Sequence, residues 1–206
     1  NAFIEQFPTI RDNADYTAVI NARHYARLQG YIDDAKSQDG EIRVVNPAKE
    51  SFDKQKKVVH KIPPTLIIEP KESMKVMQEE IFGPVLPIKS YQHIDDAIDY
   101  INAHPRPLAL YLFTDDAREK ERVLSRTISG GVTVNDVIQH VSCEDLPFGG
   151  VGASGMGSYH GPEGFKTFSH ARSIYTQSKI NMMQLMGMRP PYTDKVSKIL
   201  DSMIKK

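Results

Sequence analysis

Hydrophobic side chains recur with the period of an α-helix in two stretches of the chain. In the first stretch, residues 21–38, the apolar positions on one face are Tyr25, Leu28, Ile32 and Ala35. In the second, apolar residues recur at i, i+3, i+4 and i+7 from Ile94 to Ile101. Each spacing predicts an amphipathic helix with one buried face. Gly40 follows the first helix, and a glycine at that position predicts a left-handed cap.

Short apolar runs alternate with helical stretches. The predicted strands are residues 41–45, 65–68, 85–88, 108–113 and 132–134. The run 108–113 is apolar throughout, which predicts a strand covered on both faces. Thr114 or Asp115 is expected to cap the helix that follows, and the glycine pair at 130–131 to end it. Because parallel strands need long crossovers of this kind, the alternation predicts an α/β fold.

The pattern changes after Asn135. Residues 146–165 are rich in glycine and have no clear period. Residues 173–177 form a candidate strand, and residues 192–206 a candidate terminal helix. Residues 51–61 are polar and rich in lysine, which favours a solvated loop or hairpin.

Composition narrows the classes of function. The 206 residues are 40% hydrophobic and 25% charged, as in an ordinary globular protein. Lys plus Arg equals Asp plus Glu at 26 each, and no basic stripe is interleaved with aromatics, so no nucleic-acid partner is expected. The histidines lack metal-site spacing, and no apolar run has the length of a bilayer span, so neither a metal nor membrane contact is expected. The single cysteine suits a reducing, cytoplasmic setting.

Residues 150–155, GVGASG, match the G-x-G-x-x-G pattern of dinucleotide-binding turns. That turn needs a strand just before it and a helix just after it. Pro147 argues against the strand, and the glycines that follow, from Gly157 to Gly164, are expected to prevent the helix. We therefore interpret the stretch as backbone that passes close to other chains or to a ligand.

His140 and Cys143 suggest a cysteine–histidine nucleophile at first sight. Residues 134–141, however, have the pattern of a strand that leads into a loop, so the spacing does not place both side chains on one helix face. Glu144 and Asp145 adjoin the thiol and oppose formation of the thiolate that a nucleophile needs. We predict a packed or incidental cysteine.

Residues 79–84, EEIFGP, resemble a signature of the aldehyde dehydrogenase superfamily. Blocks that resemble later parts of that family follow in the expected order: 107–113 (PLALYLF), 130–136 (GGVTVND) and 146–152 (LPFGGVG). Blocks that resemble its class 3 branch are 154–157 (SGMG), 159–161 (YHG) and 167–170 (TFSH), and 22–28 (ARHYARL) is similar to the coniferyl aldehyde type. The resemblance covers nearly the whole chain.

The resemblance implies NAD(P)-dependent oxidation of an aromatic or aliphatic aldehyde to the acid, through a cysteine thiohemiacetal and thioester. It implies that Glu80 hydrogen-bonds the nicotinamide ribose and that Phe82 holds the nicotinamide ring. His160 is expected near the cofactor, NAD or NADP, whereas Asn135 and Phe148 are expected to line the aldehyde pocket.

The resemblance also implies where the nucleophile lies. The family's nucleophilic cysteine is expected upstream of Asn1, in a segment that should end shortly before that residue. No catalytic residue is therefore expected within the chain, and Cys143 does not stand in the nucleophile's sequence context.

The same resemblance implies the domain organisation. Residues 1–155 are expected to be an incomplete catalytic domain with a mainly parallel twisted sheet and flanking helices. Residues 156–206 are expected to hold a return segment, an oligomerisation strand and the terminal helix. In that strand, residues 174–177 are expected to pair with a second copy in a homodimer. The dinucleotide-binding domain is expected to be absent, so that the chain is a C-terminal fragment, inactive alone.

Two alternatives stay open. The first is a non-catalytic module, derived from an aldehyde dehydrogenase, that serves assembly or protein binding. The second is a related enzyme that reduces acyl phosphates or acyl thioesters on the same scaffold. The class 3 blocks around Met156 and His160 argue against the second alternative, and nothing in the sequence excludes the first.

Overall fold

The computed structural model describes residues 2–52 and 60–204. Contacts divide the chain into two compact units, one ending at Tyr100 and the other beginning at Ile101. The boundary after residue 155 stays a prediction, and most of the loop predicted for residues 51–61 lies outside the described residues.

The first unit places a three-stranded sheet against one long helix. Its elements in chain order are α1 (Ala2–Gln6), α2 (Ala22–Ser37), β1 (Glu41–Val44), β2 (Thr65–Ile68), α3 (Lys75–Gln78), β3 (Val85–Ile88) and the start of α4 (Ile94–Asn102). The central strand β2 pairs antiparallel with β1 and parallel with β3. These elements confirm the helices and strands predicted for this half of the chain.

The buried face of α2 forms the core of the first unit. Leu28, Ile32 and Ala35 are buried, as the helical period predicted, and Tyr31 is buried in addition. They pack against Ile62, Ile67, Met74, Val76 and Val85. Tyr25, the fourth residue of the predicted face, is partly buried and packs against the same cluster. Asn21 caps the start of the helix, its side chain accepting from the His24 amide at 3.0 Å. Each fully buried aliphatic side chain contributes about 1.5–3 kcal/mol to folding.

The C-terminal cap of α2 differs from the prediction. Asp39, with φ of 59°, takes the left-handed conformation, and Gly40 does not. The Gly40 amide instead donates to the carbonyl of Ala35 at 2.8 Å. Aspartate tolerates the left-handed region better than most residues, so the turn needs no glycine at that position.

The second unit contains a two-stranded parallel sheet and several helices. After α4 its elements are β4 (Ala109–Leu112), α5 (Ala117–Arg126), β5 (Gly131–Val134), α6 (Gln139–Ser142), α7 (Gly161–Thr167), α8 (Met182–Leu185) and α9 (Asp194–Ile204). Strands β4 and β5 pair in register from Ala109 opposite Gly131. The predicted α/β alternation and the predicted terminal helix are confirmed.

Several local predictions for the second unit are wrong. In β4 only one face is covered, since Leu110 and Leu112 are buried while Tyr111 is 42% exposed. Asp116 caps α5 in place of Thr114 or Asp115, accepting from two amides of the first turn. The helix ends at Arg126, before the glycine pair.

The segments after β5 also differ from the sequence-based expectation. Residues 139–142 form α6, where a strand leading into a loop was predicted. Helix α7 begins at Gly161 with Pro162 in its first turn, although the glycines were expected to prevent a helix there. A proline is tolerated at that position because the first amides of a helix have no intrahelical acceptor. Residues 173–177 pair with no strand among the described residues.

Candidate functional site

The loop at residues 79–84 links α3 to β3 and is fixed by two side chains of α2. The Arg27 guanidinium donates to the carbonyl oxygens of Glu80 and Ile81, each at 2.7 Å. A third bond runs from Arg27 to the Tyr31 hydroxyl at 2.8 Å. At its other end the loop joins the sheet, because the Thr65 amide donates to the Pro84 carbonyl at 2.9 Å. The loop is therefore anchored on both sides.

The two adjacent carboxylates of this loop have different surroundings. The Glu79 carboxylate accepts from the Tyr31 hydroxyl at 2.8 Å. Glu80 is exposed, and its contact with Arg27 is made by the backbone carbonyl. Glu79 and Glu80 are both exposed, and it is the Glu79 carboxylate that accepts a hydrogen bond from α2. The role of Glu80 toward a cofactor stays a prediction.

Phe82 has an unusual backbone and an unusual exposure. Its φ is 47°, in the left-handed region that a bulky residue rarely occupies, and its side chain is 86% exposed. A phenyl ring that stays in solvent stabilises no core, and a left-handed non-glycine residue costs about 1–3 kcal/mol. Such strain persists only where the surroundings impose it.

Phe82 also forms part of the wall of a groove in the first unit. The groove has a volume of about 660 Å³. Its lining includes Phe7, Tyr16, Val19, Ile20, His24 and Pro84. A mainly apolar groove of this size with a few polar groups is typical of a small-molecule site.

The rest of the groove wall comes mainly from the N-terminal segment, residues 7–20. The Tyr16 hydroxyl donates to the Ile62 carbonyl at 2.7 Å, and burial raises the pKa of Tyr16 to about 12. The buried Lys61 ammonium donates to the carbonyl of Asn13 at 2.5 Å. The Glu50 carboxylate accepts from the Ile10 amide at 2.6 Å. These bonds hold the wall in place.

In the second unit an aromatic cluster brings together two of the predicted site residues. Phe148 and His160 stack, with ring centroids 5.9 Å apart and an interplanar angle of 25°. Tyr159 lies edge-on to both rings. The backbone contributes as well, since Phe148 and Tyr159 exchange two hydrogen bonds of 2.8 and 2.9 Å.

Asn135 has a local structural role that the sequence did not suggest. Its φ is 58°, and its side chain accepts from the Thr114 amide at 2.8 Å and donates to the Thr114 carbonyl at 3.0 Å. Because Thr114 follows β4 and Asn135 follows β5, the amide ties the carboxyl ends of the two parallel strands together. Ligands of open parallel sheets bind outside these strand ends.

The glycine-rich stretch at 150–155 is not a dinucleotide-binding turn. It folds back on itself, with Gly152 bridged to Gly155 and the Val151 amide donating to the Ser154 hydroxyl at 2.9 Å. A Cβ at Gly150 would lie 2.1 Å from the Ser154 carbonyl oxygen. The close approach predicted for this backbone is therefore made to its own chain.

His140 and Cys143 do not form a nucleophilic pair. The buried His140 ring shares a 2.8 Å hydrogen bond between its Nδ1 and the hydroxyl of Thr133. Cys143 follows the last residue of α6 and is exposed. In residues 2–52 and 60–204 no cluster of His, Cys, Asp or Glu could hold a metal ion, and no helix is both long and apolar enough to cross a bilayer.

The nucleophilic cysteine expected upstream of Asn1 stays a prediction. Asn1 itself lies outside the described residues, and helix α1 begins at the next position, Ala2. Cys143 is exposed, so of the two alternatives predicted for it, a packed or an incidental cysteine, the packed one is wrong.

The sequence profile of the aldehyde dehydrogenase family matches residues 4–174. The chain belongs to the aldehyde dehydrogenase family. A probable coniferyl aldehyde dehydrogenase of Caulobacter vibrioides is 56% identical over 97% of the chain, and the chain covers 41% of that protein. A coniferyl aldehyde dehydrogenase of Pseudomonas is 49% identical over 96% of the chain, which covers 40% of its length. The dimeric NADP-preferring aldehyde dehydrogenase of Rattus norvegicus is 41% identical over 88% of the chain, which covers 37% of its length.

Solved structures of the family share this fold. A substrate-bound Staphylococcus aureus AldH aligns over 98% of the chain and 42% of its own, with a TM-score of 0.72 and 35% identity. A cysteine-to-alanine mutant of Pseudomonas syringae AldC in complex with NAD+ and octanal aligns over 73% of the chain and 30% of its own, with a TM-score of 0.62 and 28% identity. The chain thus spans about two fifths of the length of the curated relatives it matches.

The sequence analysis did not predict two residues that contact the loop at residues 79–84. Arg27 and Tyr31 both hold the loop, but neither was proposed for the site. The sequence does contain a signal for this contact. Arg27 lies beside the apolar face of α2 and four residues before Tyr31, and a charged side chain in such a position needs a hydrogen-bonding partner. The sequence does not contain the identity of that partner, because residues 79–81 lie about fifty positions away.

Proposed function

We propose that the chain is the cofactor-facing and aldehyde-facing part of an NAD(P)-dependent aldehyde dehydrogenase. The observation that carries this proposal is the exposed Glu80–Phe82 pair on an anchored loop beside an apolar groove. Membership of the family supports it. The names of the two relatives at 56% and 49% identity favour coniferyl aldehyde as the substrate class to test first.

The residues of the loop fit a nicotinamide nucleotide. A carboxylate that is free of side-chain ion pairs among the described residues suits the two hydroxyls of a ribose, from which it would accept hydrogen bonds. An exposed phenyl ring suits the flat face of a nicotinamide. When bound, the cofactor supplies the hydride acceptor. Glu80 and Phe82 bind and orient this cofactor, which is NAD or NADP.

The second unit supplies residues for the aldehyde side. Phe148 offers an aromatic wall that is held by the backbone pairing with Tyr159 and by the stacked ring of His160. Asn135 presents its amide at the carboxyl ends of β4 and β5. We assign Phe148 and Asn135 to the aldehyde pocket and His160 to the cofactor side, as the resemblance implies.

We further propose a homodimer formed through residues 174–177. Ile174 and Tyr175 are 75% and 83% exposed, which leaves two large apolar side chains without a core. Within the described part of the chain the amides of residues 174–177 donate no backbone hydrogen bond, so this segment is suited to adding a strand to a second copy. The rat relative is named as dimeric, which supports this assembly.

The test measures cofactor binding in the full-length protein that carries this sequence. Wild-type protein is expected to bind NAD+ or NADP+ and to oxidise coniferyl aldehyde. Phe82→Ala is expected to raise the Kd for the dinucleotide about threefold to tenfold, because it removes one aromatic contact. Glu80→Gln is expected to raise that Kd and to lower kcat/KM, since the ribose hydroxyls lose a charged acceptor.

Matched controls separate a cofactor contact from a general defect. Phe165→Ala removes a 76% exposed phenyl ring from α7, and Glu121→Gln neutralises an exposed carboxylate on α5. Both controls are expected to bind the dinucleotide as the wild type does. A wild-type protein that binds neither dinucleotide would contradict the proposal and favour a non-catalytic assembly module. An unchanged Kd in Phe82→Ala would contradict the cofactor contact assigned to Phe82.

A further inference from the structure

The contacts of Arg27, Tyr31 and Glu79 form one connected network, which we call the α2 clamp. Arg27 donates to two successive carbonyl oxygens, those of Glu80 and Ile81, and to the Tyr31 hydroxyl. The Tyr31 hydroxyl in turn donates to Glu79 Oε2. The guanidinium also lies 5.2 Å from the centroid of the Tyr31 ring. The clamp therefore joins one helix to three successive loop residues.

The clamp acts on the backbone immediately before the strained residue. Fixing the carbonyls of Glu80 and Ile81 sets the two peptide planes that lead into Phe82. Beyond Phe82, the Val85 amide donates to the Gly83 carbonyl at 2.9 Å and strand β3 begins. Phe82 is thus held between two anchors, and its left-handed φ follows from them rather than from packing of its own ring.

The chemistry of the clamp depends on an arginine. A planar guanidinium directs N–H groups from two nitrogens, in a fixed geometry, at two carbonyls and a hydroxyl, whereas a lysine ammonium donates its three N–H groups from a single nitrogen. Tyr31 is 2% exposed, so its hydroxyl needs both of its partners. The Arg27 Nε is buried and has no hydrogen-bond acceptor in the part of the chain that the structure describes. The guanidinium therefore binds the loop through its two terminal nitrogens, one donating to the Glu80 carbonyl and the other to the Ile81 carbonyl.

We infer that Arg27 and Tyr31 are positioning residues for the cofactor loop, acting through the backbone to orient Glu80 and Phe82. The inference rests on the proposed function, because it takes the dinucleotide as the ligand of those two side chains. It also divides the paired carboxylates: Glu79 is a structural acceptor for Tyr31, and Glu80 is the group left for the ligand. None of the three clamp side chains needs to touch the cofactor for the clamp to work.

The experiment combines hydrogen–deuterium exchange with dinucleotide binding in the full-length protein. The variants are Arg27→Met, Arg27→Lys and Tyr31→Phe, and the control is Arg43→Met. Arg43 is a matched control because it is an arginine of the same unit whose exposed guanidinium pairs with Glu41 at 2.6 Å. Exchange is followed in peptides that cover residues 79–85 and, as a reference for global unfolding, in β2.

Arg27→Met is expected to raise exchange in residues 79–85 by about tenfold or more, since it removes two hydrogen bonds from a charged donor. The Kd for NAD+ or NADP+ is expected to rise by about fivefold to tenfold, while exchange in β2 changes much less. Arg27→Lys is expected to recover only part of the loss, because one ammonium cannot reach both carbonyls well. Tyr31→Phe leaves the two carbonyl bonds in place and is expected to have a smaller effect of the same sign.

The outcomes distinguish this inference from the proposed function. Wild-type binding together with unchanged binding in both Arg27 variants overturns the inference and leaves the proposed function standing. The inference is also overturned if Arg27→Met loosens β2 as much as the loop, since the residue would then serve stability alone. A wild type that binds neither dinucleotide overturns both. If Arg27→Met fails to fold, Tyr31→Phe tests the inference instead, by hydrogen–deuterium exchange in residues 79–85 and by the Kd for the dinucleotide.

Discussion

Phe148 and His160 stack face to face at the end of a short backbone pairing, with ring centroids 5.9 Å apart. Phe148 reaches this position because its amide and carbonyl pair with Tyr159, the neighbour of His160. The glycine-rich turn between them brings two residues twelve positions apart into contact. The stacked pair therefore brings Phe148 and His160, two of the residues proposed for the site, into contact within the second unit.

Loss of this stacking is expected to destabilise the protein. Phe148→Leu removes ring contacts with three aromatic neighbours, so the free energy of unfolding is expected to fall by about 1–2 kcal/mol. Phe165→Leu, which alters a 76% exposed ring, is expected to change it by less than about 0.5 kcal/mol. Urea unfolding measures both. Equal values for the two variants would show that the stacking contributes nothing.

Gly83 and Gly30 provide a matched pair for the loop and the helix that holds it. A Cβ at Gly83 would lie 2.4 Å from Leu28 Cδ1, in the core, so Gly83→Ala is expected to cost about 1–3 kcal/mol of stability. A Cβ at Gly30 has nothing within 4 Å, and Gly30→Ala in mid-helix is expected to stabilise by about 0.5–1 kcal/mol. Thermal unfolding checks the opposite signs, and a stabilising Gly83→Ala would contradict the packing of the loop on α2.

Tyr16 is expected to make stability fall in alkaline solution. Burial raises its pKa from 10.0 to about 12 in the folded protein, so folding favours the protonated phenol. This contribution is fully present below pH 10, the pKa of an unfolded tyrosine, and is lost as the pH rises through about 12. Tyr16→Phe should remove that part of the pH dependence while leaving the Ile62 carbonyl without its 2.7 Å donor. Unfolding curves measured between about pH 8 and pH 12 test this, and identical pH profiles for the two proteins would contradict it.

The 206 residues expressed alone are expected to oxidise no aldehyde. The only thiol among them, Cys143, is exposed and lies outside both the groove and the aromatic cluster. A thiol reagent is expected to label it readily in the folded state, and Cys143→Ser is expected to change stability by less than about 0.5 kcal/mol. Turnover of an aldehyde that disappears in Cys143→Ser would overturn this expectation.

The helical and strand periods predicted most of the elements because each element buries one face. Leu28, Ile32 and Ala35 were placed on the inner face of α2 by spacing alone, and all three are buried. The predictions were wrong where the local backbone conformation depends on contacts with surrounding residues. Asp39 rather than Gly40 takes the left-handed position, and the glycines at 161 and 164 do not prevent α7.

The loop at residues 79–84 shows the limit of a one-dimensional pattern. By itself EEIFGP predicts only a turn after a capped helix, and its importance came from resemblance. Glu79 and Glu80 differ in role because the Tyr31 hydroxyl donates to the Glu79 carboxylate, and Tyr31 is 48 positions from Glu79. No local rule contains that information.

The fold class and the alternation of helices and strands follow from the amino-acid sequence alone, and the ordered motifs also indicate membership of the aldehyde dehydrogenase family. Those features depend on side-chain periodicity and local residue order, which are properties of the chain in one dimension. Three features emerge only in the folded protein: Arg27 and Tyr31 hold the loop, Phe82 is strained and exposed, and Phe148 stacks on His160. These are contacts between distant residues, and they exist only once the chain has folded to bring their atoms within hydrogen-bonding or van der Waals distance.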